Sequence, residues 1–182
     1  RHCQIKAFRP DCTVILCRGN INTRLNQLHT NQYDAIILAH AGLLRLGITQ
    51  PYIIPLPLET FIPAIGQGAL GMECRTHDAQ TQKYLSSLHH PDTAVCVNTE
   101  RLINTHLNGD CHTPIGIHAT LDNNTPHIHA MIGDIDSNIR LQTSKSGPQD
   151  SATQLAEIVS NTLIDLGALD LIHKHRQNNQ KG

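Results

Sequence analysis

Four prolines, at 51, 55, 57 and 63, crowd one short stretch of the 182-residue chain. Proline lacks a backbone N–H and its ring clashes with the preceding helical turn, so residues 50–63 read as extended connecting chain that no helix crosses. The sequence on either side follows different periodicities. Before the prolines, short aliphatic runs alternate with helical ones, the pattern of α/β units. Residues 13–17, TVILC, form a β-branched run that ends at Arg18-Gly19-Asn20. Asn20 or Asn22 can cap a helix reaching about Leu28, with Leu25 and Leu28 on its buried side. Residues 33–39, YDAIILA, read as a buried strand leading into a short helix, LLRLG, that Gly47 closes.

After the prolines, Gly66-Gln67-Gly68 opens a strand-like run, ALGMECR, and a polar helix follows over about 78–88. Pro91 marks a boundary. Residues 92–107 read as a helix ending at Asn108-Gly109-Asp110. Three strand-like runs, 114–121, 126–132 and 138–143, are separated by Asp122-Asn123-Asn124 and Gly133-Asp134, which predicts a hairpin meander. Ser151 is placed to cap an amphipathic helix whose face carries Leu155, Ile158, Val159, Thr162, Leu163 and Leu166, ended by Gly167. The tail HKHRQNNQKG is expected to fray.

Composition excludes several function classes. Fourteen Lys and Arg against fifteen Asp and Glu give a net charge of -1, which argues against a polybasic nucleic-acid arm. No Trp, two Phe and three Tyr leave few faces for stacking bases. No apolar run approaches membrane-spanning length, so no membrane partner is expected and the chain reads as cytoplasmic. The six cysteines include no C-x-x-C pair, which fits free thiols in a reducing compartment. The thirteen histidines are scattered, with close pairs only at His89-His90, His127/His129 and His173/His175, and no metal site is expected from them.

Three arginines stand where an α/β unit binds ligands. Arg18 and Arg24 flank the turn and first helical turn after the first aliphatic run, and Arg45 follows the second in an equivalent place. Guanidinium forks match carboxylate or phosphate oxygens, so a polyanion is one implied ligand and solvated surface charge the other reading. Gly66-Gln67-Gly68 is not a G-x-G-x-x-G or P-loop signature, and glycine pairs also mark tight turns. Cys111, in NGDCHTPIG, sits in a turn where a thiol is accessible as a nucleophile or attachment point, while an inert loop cysteine is the bland alternative.

Taken together, CRGNINTRL, YDAIILAHAGLLRLG, IPAIGQGALGMECR and NGDCHTPIG closely resemble porphobilinogen deaminase, or hydroxymethylbilane synthase, in the family's order and spacing. The resemblance implies an α/β fold: part of a periplasmic-binding-protein-like domain pair, then a small α+β C-terminal domain with a three-stranded antiparallel sheet. It assigns residues 1–65 to the latter part of the second α/β domain, 66–90 to a segment returning to the first, and 91–182 to the C-terminal domain. It also implies that most of the first domain, with the family's catalytic aspartate, precedes Arg1 in the whole enzyme. No catalytic residue is therefore assigned, and this chain alone is expected to be inactive.

The chemistry implied is the head-to-tail joining of four porphobilinogen molecules with loss of ammonia, on a dipyrromethane cofactor held by thioether to a cysteine. Cys111 matches that cysteine, whose thiol captures the azafulvene electrophile formed when an aminomethyl group ionises. Arg18, Arg24 and Arg45 match carboxylate-binding arginines, Arg1 matches another, and Gln67 is a further cleft candidate. Asp110 stands where the family commonly has glycine. Porphobilinogen is the expected partner and the family is typically monomeric; exposed apolar surface on a shortened chain would favour self-association. A non-catalytic small-anion binding or regulatory module is the alternative from a different class.

Overall fold

The computed structural model describes residues 1–49, 52–110, 112–134 and 139–179. Its organising element is the C-terminal sheet. Strands β1 (Ile115–Asp122), β2 (Thr125–Gly133) and β3 (Arg140–Ser146) pair antiparallel in the order β1-β2-β3. Asn123 and Asn124, at φ 48° and 59°, form the two-residue turn between β1 and β2. Asparagine tolerates this left-handed region, and two such residues give the twist that adjacent strands need. The expected meander is therefore present. The predicted start of β3 at 138 lies outside the described residues, and the strand continues to Ser146.

The register places Ile115 opposite Ile132, Ile117 opposite Ala130 and Ala119 opposite Ile128. These residues pack beneath helices α5 (Pro91–His106), α6 (Ala152–Asp165) and α7 (Ala168–Asn179). Ile103, Leu107, Val159, Leu163 and Ala168 are wholly buried in the same cluster. Each buried Ile, Leu or Val contributes about 1.5–3 kcal/mol through its removal from water. Two sequence expectations need correction here. Ile158 of α6 and Leu166 just beyond its end are half exposed, because the buried stripe runs instead through Leu155, Ala156, Val159, Ser160 and Leu163. The tail expected to fray from His173 is helical as far as Asn179: Gly167, at φ 100°, ends α6, and α7 follows with Ala168 and Ile172 held one turn apart in the core.

The opposite face of the sheet receives the N-terminal region. Met131 packs with Cys3 of α1 (His2–Phe8) and with Ile62. Gln4 is buried and grips Ile62 from both sides, its Nε2 donating to the carbonyl at 2.7 Å and its Oε1 accepting the amide at 2.8 Å. Gly116 permits this approach, since a Cβ there would lie 2.9 Å from the Ile62 carbonyl oxygen.

Helices α2 (Ile21–His29) and α4 (Ala79–Ser86) fall within the predicted helical segments, and α3 (His40–Arg45) starts three residues earlier than the expected LLRLG run and ends before Gly47. Asn20 accepts from the Thr23 amide and Asp78 from the Thr81 amide, which supplies partners for otherwise orphaned helical N–H groups. The predicted strands at 13–17, 33–39 and 69–75 are not formed: these segments carry no ladder among the described residues. A β-branched run has strand propensity, but a strand exists only where a neighbouring backbone takes up its N–H and C=O groups. The one sheet among the described residues is the C-terminal one, and a periplasmic-binding-like pair of α/β sheets is not seen there.

Candidate functional site

The Gly66-Gln67-Gly68 turn gathers the N-terminal candidates. Gly66 and Gly68 have φ of 66° and 89°, a backbone course that favours glycine. Gln67 between them accepts a hydrogen bond from Arg1 Nη2 at 2.8 Å, and Arg1 Nη1 donates to the Ile37 carbonyl at 3.3 Å. Gly68 faces the first turn of α3, where a Cβ would meet Ala41 at 3.6 Å. In α3, Gly42 abuts Ile21 of α2, with only 3.0 Å between a built Cβ and Ile21 Cδ1. Small residues at these contacts thus draw the starts of α2 and α3, the glycine turn and Arg1 into one neighbourhood.

Arg24 Nε donates to the Gly19 carbonyl at 2.7 Å, tying the guanidinium back to the turn that precedes α2. Arg18, on the other side of Gly19, and Arg45, in the last turn of α3, are exposed. Among the described residues, the ion pairs are Arg9–Asp11, His118–Glu100, Lys174–Asp134 and Arg176–Asp110. Arg1, Arg18, Arg24 and Arg45 are absent from that set. Among the described residues none of these four permanently charged groups has a carboxylate partner: Arg1 and Arg24 are held by neutral oxygen acceptors, and Arg18 and Arg45 face solvent.

Cys111 lies outside the described residues. Leu107 is buried at the end of α5, Asn108 adopts φ 53°, and Asn104 Nδ2 donates to the Gly109 carbonyl at 3.2 Å. Asp110 Oδ1 accepts from the His112 amide, the Thr113 amide and the Thr113 hydroxyl, each at 2.9 Å. The Thr113 hydroxyl and the His112 amide, followed by the Thr113 amide and the nearby Arg176 guanidinium, hold the Asp110 carboxyl below its ordinary value despite some desolvation.

Glu100 of α5, which no sequence signal singled out, joins the two regions. Its buried carboxylate accepts from the Gly66 amide at 2.6 Å and from the Ala119 amide on β1 at 2.8 Å, with His118 Nδ1 3.6 Å away. The turn carrying Gln67 is thereby fixed to the edge of the C-terminal sheet. Arg176 was also missed, because it falls in the stretch expected to fray. Among the described residues, no group of three or more His, Cys, Asp or Glu is arranged to hold a metal ion.

Residues 1–83 match the family model described as "Porphobilinogen deaminase, dipyromethane cofactor binding domain", and residues 94–165 match "Porphobilinogen deaminase, C-terminal domain". The chain is 41% identical over 177 residues to proteins named porphobilinogen deaminase from the Dugway 5J108-111 and CbuK_Q154 strains of Coxiella burnetii. Those alignments cover 97% of this chain and 58% of each relative, so the chain spans less than two thirds of their length.

Proposed function

Because the chain belongs to the porphobilinogen deaminase family, we propose that its gene product is a transferase joining four porphobilinogen molecules into hydroxymethylbilane with release of ammonia. In this reading Cys111 is the attachment point of the dipyrromethane, and Arg1, Arg18, Arg24 and Arg45 bind the carboxylates of cofactor and substrate. Gln67 holds Arg1 in place. Residues 1–65 belong to the second domain, 66–90 to a segment of the first, and 91–182 to the C-terminal domain. The protein works as a cytoplasmic monomer. No described helix is long and apolar enough to cross a membrane.

The observation that carries the proposal is the set of four arginines without an acidic partner among the described residues, with Arg1 joined to Gln67 and helices α2 and α3 and the glycine turn in contact at Gly42 and Gly68. Each pyrrole of such a substrate carries an acetate and a propionate. Two carboxylates about 4 Å apart near a protein surface repel by about 4 kcal/mol. A growing chain therefore needs fixed cations, and each charge-assisted bond returns about 1.5–3 kcal/mol. The four guanidiniums suit that donor requirement. The cofactor supplies a primer tethered at one end; the arginines bind its acidic arms, orient the incoming ring and offset its charge. The family match does not favour the alternative of a non-catalytic anion-binding module.

Mass spectrometry of the complete gene product purified from cells tests the assignment. Cys111 is expected to carry a dipyrromethane adduct that Cys111→Ser abolishes. An unmodified Cys111 in an active enzyme overturns it.

A further inference from the structure

We propose that Arg176 and Asp110 are positioning residues that latch the loop on both sides of Cys111 to the C-terminal domain. The inference rests on the reading of Cys111 as the attachment point and adds to it two residues that hold the chain flanking it.

Arg176 Nη2 donates to the Asn108 carbonyl, and Arg176 Nε lies 3.5 Å from Asp110 Oδ2. One planar cation thus bridges two points on the loop, a task for which the rigid guanidinium fork is suited and a lysine only partly so. The two Asp110 oxygens have separate tasks. Oδ2 faces the guanidinium, while Oδ1 closes the turn by accepting from residues 112 and 113. Thr113 is buried and leads directly into β1, so the turn is continuous with the sheet. On the other side, Gly109 is held by Asn104 and lies so close to it that a Cβ there would sit 2.3 Å from Asn104 Oδ1 and displace that amide.

The helix that carries Arg176 explains why the cation arrives at the loop. Ala168, Ile172 and Arg176 are spaced by four residues and share one face of α7. The first two are buried in the core, and the third continues the same face to the loop. Core packing of α7 therefore sets the position of the guanidinium. A tethered primer gains from ordered flanking chain, because orientation of the reacting end depends on what leads into its attachment point.

Amide-resolved hydrogen exchange on this chain tests the latch. Arg176→Gln is expected to speed exchange of the His112 and Thr113 amides about tenfold while core amides of α6 keep their rates, as a local opening should. Arg176→Lys should recover part of the protection. Asp110→Asn, which keeps an oxygen to close the turn but loses the charge, should give a smaller rise than Arg176→Gln. Rates at His112 and Thr113 within about twofold of the parent in Arg176→Gln overturn the latch. So does a uniform rise across all core amides, which would make Arg176 a general stabiliser only. The mass of Cys111 is scored separately. A bare thiol in the active complete gene product, with the amide response present, defeats the attachment reading and spares the latch. A loaded thiol with no amide response does the reverse.

Discussion

The two regions of this molecule are built on different physics. The C-terminal region encloses an aliphatic core between one face of a sheet and three helices, with Ile103, Leu107, Ile117, Ile128 and Leu163 fully buried. In the N-terminal region, α2 and α4 bury none of their residues, and Ile15, Leu16, Ile54 and Leu70 are each more than half exposed. That region is ordered by capping side chains, close glycine contacts and a few anchors onto the sheet. The comparison separates what holds the fold from what is proposed to bind: the aliphatic core carries the segments flanking Cys111, while the four arginines without a carboxylate partner among the described residues lie where packing makes little demand on side-chain identity.

The sharpest way to break this comparison is to remove matching apolar side chains from both regions. Leu163→Ala should cost about 2–5 kcal/mol, because it leaves a cavity in a close-packed site. Leu16→Ala should change stability by less than about 0.5 kcal/mol. Chemical denaturation of the two variants decides the matter, and equal losses would show that the N-terminal region shares the core. Next in size are the anchors. Glu100→Gln replaces an oxygen that accepts a backbone N–H with an amide donor, and should cost about 1–3 kcal/mol while speeding exchange at the Gly66 amide. Gln4→Ala should release α1 from Ile62 at a cost of about 1–3 kcal/mol and leave the α6 amides protected.

The smallest expected effect is on pH. The Asp110 and Asp78 carboxyls are both held below the ordinary value of 3.8, Asp110 first by the Thr113 hydroxyl and Asp78 first by the Thr81 amide. A depressed value means that the folded state binds fewer protons than the unfolded one. The contribution is therefore complete above about pH 4 and lost as pH falls through the folded values. Thermal midpoints followed from pH 6 to pH 2.5 should decline less for Asp78→Ala than for the parent chain.

What could be read from the sequence follows the same division. Short-range signals were sufficient where the physics is local: Asn20 at its cap, Gly47 and Gly167 at helix ends, and the Asn123-Asn124 turn. They failed where a feature depends on distant partners. TVILC and YDAIILA have the composition of strands, but no neighbouring strand lies beside them among the described residues. Glu100 looks like any helical surface glutamate until Gly66 and Ala119, far from it in sequence, bring their amides to it. Arg176 sits in a polar stretch that reads as a loose end, although the four-residue spacing from Ala168 through Ile172 was a usable sign of a further helix. The arginines were visible as residue types, and their lack of carboxylate partners among the described residues required the fold.

Turnover of porphobilinogen by the complete gene product carrying Arg18→Ala or Arg24→Ala, measured together with its thermal midpoint, tests the anion-binding claim most directly. The account predicts a fall in turnover on the order of a hundredfold or more, since fixed charge aimed at the substrate is lost, with the midpoint nearly unchanged. Turnover equal to that of the parent enzyme would contradict it.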